Sequence, residues 1–394
     1  AEVGPGDYLE FVGFAADTLY THTNVYTLSA NQAQARRVAS DSRRPPASAI
    51  LAPHYMETAR VERQRRYSFS SPLADPWYDE RMLVYATPKS WSYRLDAEGL
   101  VAGAAPSTLQ VVLFGGTDFA AIPDHHVRLH FNDVVVAEEV FDGLAARSLS
   151  VPLPEGLLQA AGNTLTVELP GDLGVEYDLV NLDSYAVVYP RAFEARRGAL
   201  SFTAAGQAFQ VSGLPRGEAV VYRQTGDGAL ARLSASMVCK ADGPCTARFV
   251  GSDRTATYHV ASSGSVSSPA IAPAVPAVNL RDKPAQLLVI SHPDFLSGLA
   301  PLVAARTAQG WSVEVVDVEQ IYRQFGDDAL DPRAIREVIA FAATRKETRH
   351  VLLVGGDTYD YFDYLGLGSI SFVPTLYART DPIVAYTPSD SLYA

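Results

Sequence analysis

Three stretches decide the fold: LLVISHPDF (287–295), WSVEVVDVEQIY (311–322) and HVLLVGGDTYDY (350–361). Each holds an apolar run that ends on polar residues. Leu287 to Ile290 is continuously apolar, as expected of a strand buried on both faces. Phe295, Leu299, Leu302 and Val303 then recur at helical spacing, and Gly310 stands where a helix C-cap belongs. Asp331-Pro332 supplies an N-cap followed by proline at the first helical position. Ile335, Val338, Ile339 and Ala342 mark one face of the helix that follows. Right-handed crossovers make the three strands parallel in one sheet. Residues 282–394 are therefore expected to form part of a doubly wound α/β domain.

Upstream of this domain the period changes from 3.6 to 2. Leu109, Val111 and Leu113 alternate with opposite-face residues, as do Val127, Leu129 and Phe131, and Leu165, Val167 and Leu169. Leu182, Tyr185 and Val187 continue the pattern after a shift. Many short strands and few helices predict a β-sandwich or jelly roll over 1–190. Residues 31–75, rich in Arg, Ser and Pro, are expected to be an irregular excursion from it. Short strand candidates between Leu200 and Val260 fit a small Ig-like β-sandwich, and 191–281 is assigned to it together with a Ser/Ala/Pro-rich linker. The fold class is thus multidomain β plus α/β.

Composition narrows the function. A chain of 394 residues should hold two or three domains. A formal net charge of −12 argues against a nucleic-acid binder that works by neutralising phosphates. The longest apolar runs are too short to span a bilayer, so no transmembrane segment is expected. The only cysteines, Cys239 and Cys245, flank the turn-forming Asp-Gly-Pro in CKADGPC. A disulfide across a hairpin is expected, and with it an oxidising compartment.

Ligands of open α/β sheets bind outside the carboxyl ends of the strands. Here those ends carry Ser291 and His292, then Asp317, then Gly355, Gly356 and Asp357. Asp357, Asp360 and Asp363 offer carboxylates at three-residue spacing, which suits calcium, although the same residues serve equally as turn caps or solvated groups. His292 stands before Pro-Asp, as a site residue or as a cap. His125, His126, Arg128, His130 and Asn132 offer a polar strand face for sugar, metal or plain solvent. Arg60, Arg63, Arg65 and Arg66 form a basic cluster facing solvent or a partner. There is no G-x-S-x-G motif, and both cysteines lie away from the strand ends, so no complete catalytic constellation is present.

The ordered set LLVISHPDFLSGLAPLVAARTAQGWSVEVVDVEQIYRQF (287–325), DPRAIREVIAFA (331–342), RHVLLVGGDTYDY (349–361) and FVPTLYARTDPIVAYTPSDSLYA (372–394) resembles the start of the catalytic domain of gingipain-type cysteine peptidases. The doubled glycine at Gly355-Gly356 departs from the pattern. More loosely, DTLYTHTNVYTL (17–28), DPWY (75–78), HHVRLHFND (125–133) and VVYPRAFEA (187–195) resemble the β region before that domain. The resemblance implies a caspase-like α/β fold, a secreted or cell-surface protein, and a Cys-His dyad acting on protein or peptide. In the family the dyad follows the S-D-x-x-Y segment, which here is Ser389 to Tyr393. No catalytic role therefore transfers to this chain. The implied partner is a downstream catalytic segment of the same precursor. Asp357 and Asp390 match family positions, and with His292 they are expected at the edge of a substrate cleft. The other reading is a non-enzymatic surface or adhesion module, whose β domains bind glycan, protein or the cell envelope beside a degenerate peptidase-like scaffold.

Overall fold

A computed structural model describes residues 9–29, 38–70, 75–274, 278–281, 284–380 and 383–394. Contacts divide the chain into two units, one comprising Ala30–Tyr67 with Trp77–Ile271, the other Ala1–Ser29, Ser68–Pro76 and Ala272–Ala394.

The β unit opens with β1 (Ala39–Asp41), β2 (Tyr55–Glu62) and a ribbon of β3 (Arg66–Tyr67) and β4 (Trp77–Tyr78). There follow β5 (Glu80–Val84), β6 (Lys89–Leu95), β7 (Thr108–Gly115), β8 (His125–Phe131), β9 (Val134–Phe141), β10 (Ala146–Pro152), β11 (Asn163–Leu169) and β12 (Asp178–Arg191). One sheet runs β10-β7-β12, with β2 and β5 sharing the far edge of β12; the other runs β6-β11-β8-β9. From β5 to β12, every connection except β8–β9 crosses between the sheets. The orders β5-β12-β7-β10 and β6-β11-β8-β9 are those of an eight-stranded jelly roll.

The alternating residues fill the space between the sheets. Leu109, Val111, Leu113, Val127, Leu129, Phe131, Leu165, Val167 and Leu169 are all fully buried in one core. The period slips in β12, where the pairing with β7 shifts between Leu182 and Ser184. That bulge keeps Leu182 and Tyr185 on the same inner face despite their odd separation. Of the 31–75 stretch, residues 31–37 and 71–74 lie outside the described residues, and 38–70 are more regular than their composition suggests. Its Tyr55–Glu62 portion is a full strand beside β12, because alternate side chains such as Ala59 and Val61 pack on the core. Its arginines are not a free basic patch: Arg60 pairs with Glu62 at 2.7 Å, and Arg63 and Arg65 reach Asp79 at 3.4 and 3.3 Å.

The chain continues into β13 (Ala199–Leu214), β14 (Ala219–Gln224), β15 (Leu230–Leu233), β16 (Ala235–Cys239) and β17 (Cys245–Ser262). An Ig-like pair of sheets was the expectation here; the structure has a single sheet, β1-β15-β14-β17-β13, with β16 also on β17. The second layer comes from bending. Phe202 and Phe209 both lie in β13, yet their ring centroids are 5.1 Å apart. Along an unbent strand seven residues span roughly 23 Å and end on opposite faces. The pairing of β13 with β17 is interrupted between Ala204 and Gly206, so the hairpin folds over there and stacks its own aromatic residues. The fold needs glycine, since a Cβ on Gly251 would collide with the carbonyl oxygen of Gly206. Cys239 and Cys245 are opposite one another on β16 and β17 and form the expected disulfide.

In the α/β unit, β18 (Leu287–Ser291) lies between β19 (Val313–Asp317) and β20 (His350–Val354), all parallel. The short helix α1 (Pro293–Leu296) and α2 (Ala300–Ala308) follow β18; α3 (Val318–Phe325) and α4 (Pro332–Arg345) follow β19. Leu288 and Ile290 join a core with Ile321, Ile335 and Val338, whereas Leu287 and Val289 pack with Leu299. Strand β18 is thus apolar throughout because both of its faces are covered. Lys346 is buried past the end of α4, where its Nζ donates to the carbonyl of Leu280 at 2.8 Å and pairs with Glu314. Residues 9–29 and 68–70, read from sequence as part of the β domain at 1–190, group with this unit instead. Among the described residues no helix is long and apolar enough to cross a membrane.

The folded hairpin and its disulfide give two expectations. Gly251→Ala should lower unfolding free energy by about 1–3 kcal/mol, since the added methyl forces the β13–β17 backbones apart; urea denaturation measures it, and an unchanged midpoint would contradict the close approach. Replacing Cys239 and Cys245 by serine should lower stability by about 2 kcal/mol, as the closed loop is short.

Candidate functional site

Because β18 pairs in register on both sides, Ser291 stands opposite both Asp317 and Val354 at the carboxyl edge of the sheet. Most polar groups there are committed to local structure. The Oγ of Ser291 donates to the carbonyl of His292 at 3.0 Å. The Nδ1 of His292 accepts the amide of Asp294 at 3.3 Å, which makes the imidazole the cap of α1. Its ring meets the edge of Phe372 at 5.1 Å between centroids. Asp317 caps α3, accepting the Glu319 amide at 2.9 Å.

Beyond β20 the backbone turns at Gly355, whose φ is +145°. A Cβ there would lie 2.8 Å from the Cβ of Phe372 and 3.0 Å from Cγ2 of Val373. Gly355 lets the returning loop press onto the strand end, whereas a Cβ at Gly356 would meet nothing, and the Phe372 amide donates to the Gly356 carbonyl at 3.0 Å. This brings Asp357 to that loop. Its Oδ1 accepts from Ser371 Oγ at 2.7 Å, and its Oδ2 accepts from Tyr361 OH and the Thr375 amide, both at 2.8 Å. Part of Asp357 remains exposed, but the groups around its carboxyl displace water and raise its pKa, against the opposing pull of these donors. Thr375 also donates its Oγ1 to Oδ1 of Asp390 at 3.3 Å. One threonine thus links the two aspartates, and Phe372, three residues earlier, touches His292.

A residue far away in sequence completes the cluster. Tyr20 donates its hydroxyl to the Thr375 carbonyl at 3.0 Å and sets its ring on that of Tyr361 at 4.8 Å. Beside it, His22 stacks on Phe362 at 4.0 Å. Burial, and then the neighbouring Tyr377 and Asp357, push the Tyr20 hydroxyl well above its ordinary pKa. Burial, followed by Asp357, does the same for Tyr361. Both phenols therefore stay protonated and act as donors at neutral pH. Nothing in the sequence around Tyr20 points to this position; Ser371 and Thr375 lie near or within the family-like C-terminal stretch but carry no motif of their own.

Asp360 and Asp363 do not join Asp357. Asp360 is buried and accepts the amides of Tyr364 and Leu365 at 2.8 and 2.9 Å, one on each oxygen. Asp363, at φ +54°, accepts three amides on one oxygen, from Leu367, Gly368 and Ser369. Calcium needs several oxygens turned inward on one point. These three carboxylates instead turn toward separate loop donors, and no three acidic, histidine or cysteine side chains converge as a metal site among the described residues. The donor set does not fit one calcium cage in this arrangement. The site also has no thiol, since both cysteines of the chain are joined in the disulfide.

Residues 280–394 match the family model described as Peptidase family C25, and over that stretch the chain is similar to gingipain-type peptidases. Among solved structures, latent dimeric PorU from Porphyromonas gingivalis is similar at 18% identity and a TM-score of 0.60, covering 90% of this chain. The likeness shows the multidomain β plus α/β fold, and the chain spans 35% of that protein's length. A cycloisomaltooligosaccharide glucanotransferase from Paenibacillus sp. matches at 12% identity over 57% of this chain and 46% of its own, with a TM-score of 0.17 that carries no argument. No curated protein matches.

The hydrogen bonds of Asp357 set a test. Asp357→Ala leaves the Thr375 amide and Ser371 hydroxyl without their partner and should cost about 1–2 kcal/mol. Asp357→Asn can keep every bond, its amide oxygen accepting from Tyr361 and Thr375 and its NH2 donating to Ser371 Oγ. It should stay within about 1 kcal/mol of the parent. Denaturation curves separate the two, and equal losses would show that the carboxylate is not anchored as described.

Proposed function

We propose that this chain supplies the β-rich region and the first part of the α/β domain of a secreted or cell-surface gingipain-like cysteine endopeptidase. The Cys-His dyad would come from a downstream segment of the same precursor. The observation that carries this reading is the assembly of His292, Asp357, Thr375 and Asp390 at the carboxyl edge of three parallel strands, within the stretch that matches Peptidase family C25. Thr375 bonds both Asp357 and Asp390, and His292 accepts a backbone amide and packs on Phe372, which suits one wall of a cleft rather than the reacting groups. The thiolate of the downstream segment would attack the peptide carbonyl, and its histidine would protonate the leaving amine. The disulfide supports an oxidising location.

The test is expression of the protein with the region that follows Ala394, assayed on a library of quenched fluorescent peptides. Turnover abolished by thiol alkylation, and by replacing a histidine or cysteine from that region, is the expected result. The present chain alone should show no thiol-dependent turnover. A longer protein that holds a free cysteine and a His-Gly pair yet cleaves no peptide would favour the non-enzymatic surface module instead.

A further inference from the structure

The outward face of the sheet β6-β11-β8-β9 carries alternating charges that the proposed peptidase site does not use. His126, Arg128 and His130 project from β8 toward Glu138 on β9, Glu168 on β11 and Asp172 in the loop that joins β11 to β12. His126 is buried, and both of its ring nitrogens meet carboxylates at 2.8 Å, Nδ1 at Asp172 and Nε2 at Glu138. An imidazole that donates from both nitrogens must be protonated. Its backbone amide is fixed separately, donating to Oδ2 of the buried Asp178 at 3.0 Å. The strand therefore holds the ring in place whichever way the ring titrates.

We propose that His126 is a proton-controlled latch that fastens Asp172 and the adjoining residues 171–174 to the jelly-roll sheet, while Tyr177 farther along the loop is held separately by the rings of Tyr85 and Phe119. When the imidazole loses a proton, one nitrogen presents a lone pair to a carboxylate at hydrogen-bond distance, and one of the two contacts must open. Glu138 has a second cation, since Arg128 Nη2 donates to the same Oε1 at 2.9 Å. The hydrogen bond from His126 is the side-chain contact that ties Asp172 down, and Asp172 sits on an exposed loop. The Asp172 side is therefore the one that releases. The other charged groups on this face leave that choice intact: Glu168 is bound by Arg128 at 3.0 Å and by His130 at 2.8 Å.

The direction in pH follows from the surroundings of the ring. Burial lowers the pKa of His126, but hydrogen bonds with Asp172 and Glu138 and their charges outweigh it, so the net shift is upward from 6.5. A folded pKa above the unfolded one gives stabilisation that is complete below the unfolded value and lost as pH rises through the folded value. The loop is thus latched in acid and freed toward alkaline pH.

Histidine-selective and backbone-amide NMR on the whole chain tests the latch. Between about pH 5.5 and 8.5, a range that spans the ordinary histidine pKa, the amides of Gly171 and Gly174 should shift with the same midpoint as the His126 ring. Asp172→Asn, a surface change that leaves the fold intact, should lower that midpoint and uncouple the loop from it. Loop amides that do not move with the ring, or that move identically in Asp172→Asn, would overturn the proposal.

Discussion

The α/β unit depends on the complete burial of β18. All five residues from Leu287 to Ser291 are buried, and the strand is hydrogen-bonded on both sides. Such a strand is held by a hydrogen-bond ladder on each edge and by close packing on each face, so a shift would have to break both ladders and repack both layers at once. Its register with β19 and β20 is therefore rigid, and the three strand ends finish in one row. The loops that leave this row start from fixed points. The close return of Phe372 and Val373 onto Gly355 needs a residue without a Cβ at that strand end.

This explains what the sequence shows and what it conceals. The elements of the α/β unit are legible because each is marked by its own local chemistry. Asp331 caps α4 and Pro332 opens it, as their order predicts, and Gly310 takes a φ of +86° just past α2. The jelly-roll strands are legible from period two, even to the slip between Leu182 and Tyr185 that the bulge accounts for. The folding over of β13 on itself is not. Its cause is a contact between Gly206 and Gly251, which are far apart in sequence, and a lone glycine in a strand pattern signals a bulge, a bend or nothing. Period-two runs separated by turns look the same whether two sheets face each other or one sheet is folded.

The site divides in the same way. Asp357, Asp390 and His292 are visible as polar residues at strand ends or in a family-like segment, and the structure does gather them around the loop 371–375. Tyr20 joins them through a contact spanning 355 positions of the chain. No periodicity or motif reports such a contact, since Tyr20 is chosen for what surrounds it in space.

The acidic residues after β20 show most clearly where sequence reasoning ends. Three aspartates at regular spacing offer the same oxygens to a cation and to backbone amides, and only the loop conformation decides between them. Asp363 at positive φ folds the chain back so that three successive amides aim at one of its oxygens, and Asp360 receives one amide on each of its two. Each backbone amide so bound would otherwise need water or another acceptor in a stretch without helix or strand. The carboxylates thus do for an irregular loop what a ladder does for a strand. Asp357 extends this to the next layer, spending its oxygens on a tyrosine, a serine and an amide from two different parts of the unit. Loops built in this way are held by their own carboxylates, through the backbone amides and hydroxyls that those carboxylates accept.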